Sequence, residues 1–240
     1  MIPTLLAPLD VQLARVLGLP RDLAATTARE LQELKARFTF HELEETAIPS
    51  YTHRLAPIRY GFLRRLQVAL ALQRRHLSSA GDSSRGRVLD FGCGSGLMTL
   101  ALHRSGLSPI RCDIRPAFCL PAAQACSTAL NASEDFAGFA GCVALDVLEH
   151  LPETELHSFM TAFRPGTLLV VSGPTENWLY RLGRRLAGFK GGYHQRNIYA
   201  ILDRLQEAGW SRVERDHFVL SRFFCPAFVV ACLRKVEIKR

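Results

Sequence analysis

Residues Val88 to Met98, VLDFGCGSGLM, constrain this chain more than any other stretch. Val88-Leu89 is an apolar run of the buried-strand type and ends in Asp90. Gly92, Gly94 and Gly96 then recur at every second position. Ser95 offers a cap, and Leu97, Met98, Leu100, Ala101 and Leu102 read as a helix. The order is strand, tight glycine loop, helix N-terminus. A strand of a parallel sheet delivers a loop whose backbone approaches a ligand closely, where any larger side chain would obstruct. The pattern predicts a nucleotide-type site on a doubly wound sheet.

The glycine spacing narrows the ligand. A dinucleotide fingerprint needs glycine at the first, third and sixth positions, and here the sixth is Leu97. The run is G-x-G-x-G, with Asp90 two residues ahead of it. A pyrophosphate calls for free backbone N–H groups and little negative charge nearby, whereas an acid at the strand end suits a ligand carrying positive charge. Asp90-Phe91-Gly92-Cys93-Gly94-Ser95-Gly96 fits the D-x-G-x-G-x-G form throughout. On that motif the chain resembles the class I S-adenosylmethionine-dependent methyltransferases, whose cofactor bears an ammonium and a sulfonium. The competing readings are a tight turn in some other α/β protein and, further back, an NAD-dependent dehydrogenase.

Two later segments agree with the resemblance. Pro109-Ile110-Arg111-Cys112-Asp113-Ile114 reads as a second strand ending in an acid. Asp113 lies roughly 20 residues on, where a carboxylate accepts hydrogen bonds from the ribose hydroxyls. A helix cap ahead of Pro116 is the plain alternative. Cys142 to Pro152, CVALDVLEHLP, looks like the family's fourth strand and following loop. The D-V-L-E-H-L wording is similar to that of the type 11-like small-molecule methyltransferases. The resemblance covers roughly residues 86 to 235. It implies a seven-stranded, mostly parallel, doubly wound α/β sheet, the Rossmann-like methyltransferase fold. It implies S-adenosylmethionine as cofactor, held by Asp90, Gly92, Cys93, Gly94, Gly96, Asp113, Ile114, Asp146 and Val147.

A chain of 240 residues holds one domain of ordinary size plus an extension. Hydrophobic and charged fractions of 48% and 22% are those of a globular protein. No apolar run approaches the ~20 residues of a membrane span. MIPTLLAPLD has no basic start, and Asp10 and Asp22 argue against a secretory or transit peptide. Seven scattered cysteines without a C-x-x-C predict a reducing, cytoplasmic setting, with neither a disulfide framework nor a zinc site. The net charge of +8 suits an acidic partner, or reflects an arginine-rich composition.

In chain order, residues 1–80 predict a helical N-terminal extension or cap over the acceptor pocket, and residues 86–240 the cofactor-binding domain. The polar run Ser78 to Gly86 is the boundary. Helices are expected over Asp10 to Leu17, Arg21 to Phe38 and Pro57 to His76. In the last, Ile58, Phe62, Leu66, Ala69 and Leu70 share one face, and Arg59, Arg64, Arg65, Arg74 and Arg75 lie mostly elsewhere, on a wet basic side. Tyr51, His53 and Tyr60 are weak candidates for lining the acceptor pocket. A helix is expected from Pro116 to about Leu130. Asn131 to Gly141 has no strand-like run where the family places its third strand and an adenine-holding acid, with Glu134 or Asp135 as substitutes.

Methyl transfer from a sulfonium is an in-line displacement with a good leaving group, so positioning is the enzyme's main contribution. A hydroxyl acceptor adds a general base. His150, just past the fourth strand, and His194, in a long segment past the fifth, are the candidate catalytic residues; each is equally readable as a cap, packing or loop residue. The loop is not the Asn/Asp-Pro-Pro-aromatic type used on exocyclic amines of bases. A small-molecule or lipid-like acceptor therefore leads, for O- or C-methylation. Behind it stand an RNA or protein methyltransferase and a catalytically silent, cofactor-binding assembly factor. Trp178 to Lys190 reads as a helix with Trp178, Leu179, Leu182, Leu186 and Phe189 on one arc and Arg181, Arg184 and Arg185 on another. It is either a surface helix, a lid that also touches an anionic membrane, or a dimer contact.

Overall fold

The computed structural model describes residues 2–43, 46–78, 86–131, 134–178, 180–181, 196–214, 217–219 and 227–237. Strands β1 (Arg87–Phe91), β2 (Ser108–Cys112), β3 (Thr128–Ala129), β4 (Gly141–Leu145) and β5 (Leu168–Pro174) are all parallel to their neighbours in this set. β6 (Trp210–Arg212) and β7 (His217–Val219) pair in succession, antiparallel, with β8 (Phe228–Lys235), and β8 runs antiparallel to β5. The order is β3-β2-β1-β4-β5-β8-β6, with β7 continuing along β8. Eight strands thus fill seven positions of a doubly wound sheet. The order reverses between β1 and β4, which opens a crevice at the carboxyl ends of those strands.

Alternation along the central strands builds two cores. Leu168 and Val170 face one side of the sheet with Val88 and Val143, while Leu169 and Val171 face the other with Leu89 and Cys142. The second face is closed by α9 (Glu153–Thr161) and α10 (Ile198–Glu207), through Leu156, Phe159, Ile201 and Leu205. The first is closed by α6 (Ala56–Ser78) and α7 (Leu97–Arg104). On α6 rest α2 (Leu9–Leu17) and, through α2, α3 (Arg21–Arg37). The short helices α1 (Ile2–Leu5), α4 (Phe40–Leu43) and α5 (Ile48–Tyr51) complete this amino-terminal layer. Helix α6 lies directly on β4, β5 and β8, so the layer and the sheet share one hydrophobic core.

Two expectations are corrected here. The helix expected from Pro116 to Leu130 is a 3-10 turn at Pro116–Phe118, the short helix α8 (Pro121–Ala125) and strand β3. Pro121 can start a helix but not continue one, which limits what precedes it. The third strand therefore precedes Asn131–Gly141, and it spans only Thr128–Ala129, paired with Ile110 and Arg111. The basic side of α6 is also not uniformly wet. Arg64, Arg74 and Arg75 are exposed, but Arg65 is 1% exposed. Arg65 is three residues past Phe62 and four before Ala69, which puts it on the buried face. Among the described residues, no helix is long and apolar enough to cross a membrane.

Candidate functional site

The crevice holds a cavity of about 600 Å³, walled by the glycine loop, the ends of β2 and β4, and helices α5 and α6. Asp90, the penultimate residue of β1, is 3% exposed, and its Oδ2 accepts a 2.5 Å hydrogen bond from Thr99 Oγ1 on α7. Burial pushes the Asp90 carboxyl up to about 7, against the Thr99 bond and with the help of nearby Asp113. The loop beyond it is shaped by close approach. Gly92, with φ +70°, has no room for a side chain, because a Cβ there would lie 2.5 Å from Val147 Cγ2. At Gly96, φ +77°, a Cβ would lie 2.5 Å from Ala123 Cβ and 3.0 Å from Cys119 Sγ. Gly94, φ +51°, differs: nothing lies within 4 Å of its Cβ position, and the residue lines the cavity. The backbone is thus bare toward the cavity at the middle glycine and locked by packing at the outer two.

Asp113 stands just past β2 and ties the loop down. Its Oδ2 accepts from Gly94 N–H at 2.7 Å and its Oδ1 from Arg115 N–H at 2.7 Å. Each carboxylate oxygen retains a second lone pair for a ligand hydroxyl. Ile114, beside it, is 94% exposed and lines the cavity.

Asp146 and Val147 form the opposite wall. Asp146 has φ +54°, a conformation that costs a non-glycine residue roughly 1–2 kcal/mol and so needs support. Its N–H donates to Ser172 O at 2.9 Å, its Oδ1 accepts from Ser172 Oγ at 3.1 Å, and its Oδ2 is ion-paired with Arg65. Glu149, in the 3-10 turn Leu148–His150, is fully buried. Neither of its oxygens has a hydrogen-bond partner among the described residues. Burial raises its carboxyl to about 8, with Arg65 opposing and Glu176 adding to the shift.

Of the residues expected from the sequence, Asp90, Gly92, Cys93, Gly94, Asp113, Ile114, Asp146, Val147 and His150 line this one cavity. Gly96 stands behind the loop against Cys119 and Ala123. His194 lies outside the described residues. Tyr51 lines the cavity, and His53 and Tyr60 do not. Glu134 and Asp135 are occupied elsewhere: Glu134 pairs with Arg87 and accepts from Asn131 N–H, and Asp135 caps its own turn through Ala137 N–H. Neither lines the cavity. Sequence reasoning missed Arg65, Thr99 and Ser172. Thr99 carried a legible signal, since a hydroxyl on the first turn of α7 faces back toward the strand end.

The methyltransferase domain family matches residues 62–226. No curated relative matches the sequence. Among solved structures, the chain is similar to magnesium protoporphyrin IX methyltransferase (ChlM) from Synechocystis PCC 6803 with bound SAM. That likeness has 17% identity and a TM-score of 0.53, over 86% of this chain and 97% of that one. It is also similar to the methyltransferase domain of bacterial CtHen1, at 15% identity and a TM-score of 0.53, over 72% of this chain and 99% of that one. These likenesses concern the fold, and the family match spans most of the chain, glycine loop included. The protein belongs to the methyltransferase domain family, the class I S-adenosylmethionine-dependent methyltransferases.

Proposed function

We propose that the protein transfers the methyl group of S-adenosylmethionine to an oxygen or carbon of a small, apolar or lipid-like acceptor. The supporting observation is the composition of the cavity beyond the cofactor loop. Tyr51, Phe62 and Leu66 from the amino-terminal helices, with Leu145 and Tyr180, give the cavity aromatic and aliphatic lining. In this reading the bare backbone at Gly94 and the carboxyl of Asp90 receive the amino-acid end of the cofactor, and Asp113 the ribose. Asp146 and Val147 border the sulfonium, which supplies an activated methyl. The apolar wall excludes water and aligns the acceptor, and His150, on the cavity lining, takes the proton of a hydroxyl acceptor. The neighbour named for magnesium protoporphyrin IX gives a precedent for a largely apolar acceptor in this fold. The net charge of +8 favours a second reading, an RNA or protein acceptor.

The test is to incubate the protein with methyl-labelled S-adenosylmethionine and a whole-cell extract, then follow the label. Label in the organic-soluble small-molecule fraction is expected. Label confined to RNA or protein selects the second reading, and cofactor binding without any transfer selects a silent binding protein.

A further inference from the structure

Arg65 belongs to no motif, yet among the described residues it is the most deeply buried cation beside the cavity. It is 1% exposed, its guanidinium lies 5.1 Å from the Phe62 ring centre and 4.8 Å from that of Phe228, and it pairs with Asp146. Taking an arginine out of water is unfavourable unless a partner compensates it. The partner is the residue whose left-handed backbone sets the wall of the cofactor loop. Asp146 leads into Val147, and Val147 packs so closely on Gly92 that no Cβ fits between them. A chain of contact therefore runs from α6, through Arg65, Asp146 and Val147, to the backbone that faces the cavity. Ser172 holds the same carboxylate from β5, so Asp146 is clamped between sheet and helix. Two further features fit a rigid clamp. The rings of Phe62 and Phe228 lie edge to face, 5.0 Å apart, and leave the guanidinium little freedom. The Arg65 Nε finds no hydrogen-bond acceptor among the described residues, and the side chain is held by the ion pair, the rings and a hydrogen bond with the Tyr51 side chain.

We propose that Arg65 is a positioning residue for the cofactor: it holds Asp146 in the conformation that seats Val147 against the glycine loop. The amino-terminal helical layer then sets cofactor affinity as well as covering the acceptor side. This inference rests on the cofactor occupying the Gly92–Gly96 loop.

The experiment measures S-adenosylhomocysteine affinity by calorimetry on variants whose folding is verified by thermal melting. Arg65→Met keeps the apolar stem between the two rings and removes the charge. It is expected to raise Kd at least tenfold, and Arg65→Lys less than threefold. In an Asp146→Asn background Arg65→Met is expected to change Kd less than twofold, because the clamp is already open. A purely structural Arg65 would lower the melting temperature and leave Kd as in wild type. That result, or an undiminished effect of Arg65→Met in the Asp146→Asn background, overturns the proposal. If Arg65→Met does not fold, Arg65→Gln carries the same comparison with the same thresholds. Gly94→Arg separates the two levels of argument: it fills the open side of the loop and is expected to abolish binding. Wild-type affinity in Gly94→Arg would remove the site assignment and this proposal together. Lost binding in Gly94→Arg with unchanged binding in Arg65→Met would remove only the proposal.

Discussion

At Asp113 a single carboxylate has two employments. One is internal, since both oxygens hold backbone N–H groups, Gly94 on one and Arg115 on the other. In the proposed function the other is external, because lone pairs remain for the two ribose hydroxyls. Removing the side chain is expected to cost cofactor binding about 2–3 kcal/mol, the scale of lost charge-assisted hydrogen bonds. A 2′-deoxy analogue divides that loss between the two roles. If Asp113 holds the ribose, wild type distinguishes cofactor from analogue, and Asp113→Ala does not. Calorimetry with both ligands on both proteins checks this. Equal weakening of the two ligands would mean the acid acts only by tying down Gly94. Cofactor affinity unchanged in the folded variant would leave it a cap alone, the alternative that Pro116 suggests.

Among the elements, legibility followed the density of local signal. Strands β1 and β4 hold apolar runs beside glycine and turn residues, and their positions could be read within a residue or so. β3 could not, because two exposed residues carry no pattern and its pairing is supplied by β2. The glycine loop was legible as a ligand site, since backbone exposure is written directly in glycine spacing. The Arg65–Asp146 pair was not, since a tertiary contact between α6 and the residue just past β4 leaves no trace in either segment's periodicity. The segment beginning at Trp178 shows how far an element can be argued. Asn177 Oδ1 accepts from Tyr180 N–H and Asn177 O from Arg181 N–H, so a helical turn does start there. Trp178 is 68% exposed, and Tyr180 packs on Phe228 at 5.5 Å and lines the cavity. Leu179 and residues 182–195, and with them the rest of both predicted arcs, lie outside the described residues. As a proposal, the basic residues of this segment meet an anionic membrane. The protein is then expected to sediment with anionic liposomes at low salt and to be released as salt rises. Replacing Arg181, Arg184 and Arg185 with Glu is expected to abolish sedimentation and spare cofactor affinity. Wild type that ignores such liposomes at low salt ends the membrane proposal.

For the molecule as a whole, two buried acids link folding to pH. Asp90 is pushed up to about 7 and Glu149 to about 8, each first of all by burial. Charged groups around them pull in both directions. Asp113 raises Asp90, while Arg65 lowers and Glu176 raises Glu149. In the unfolded chain both acids titrate near pH 4. Between that pH and their folded values the native state holds protons that the unfolded state has released. Stability therefore falls as pH rises, by up to about 1.4 kcal/mol per pH unit for each group. The contribution is fully present below pH ~4 and is lost as pH passes through about 7 for Asp90 and about 8 for Glu149. Melting temperature without cofactor is expected to drop between pH 6 and pH 8.5, each kcal/mol amounting to about 2–4 °C for a chain of this size. Glu149→Gln keeps the shape of the protonated acid and cannot ionise. It is expected to melt near wild type at pH 6 and above it at pH 8.5. Cofactor binding should respond with the opposite sign. A ligand carrying an ammonium and a sulfonium selects the ionised form of Asp90, so its binding at pH 6 should release a proton, and affinity should rise toward pH 8. Calorimetry at pH 6 in two buffers of different ionisation enthalpy counts that proton. If melting temperature is flat over this range in wild type, or runs parallel in Glu149→Gln, the buried acids are not the link. If no proton is released on binding, Asp90 is not the group the cofactor's charge meets.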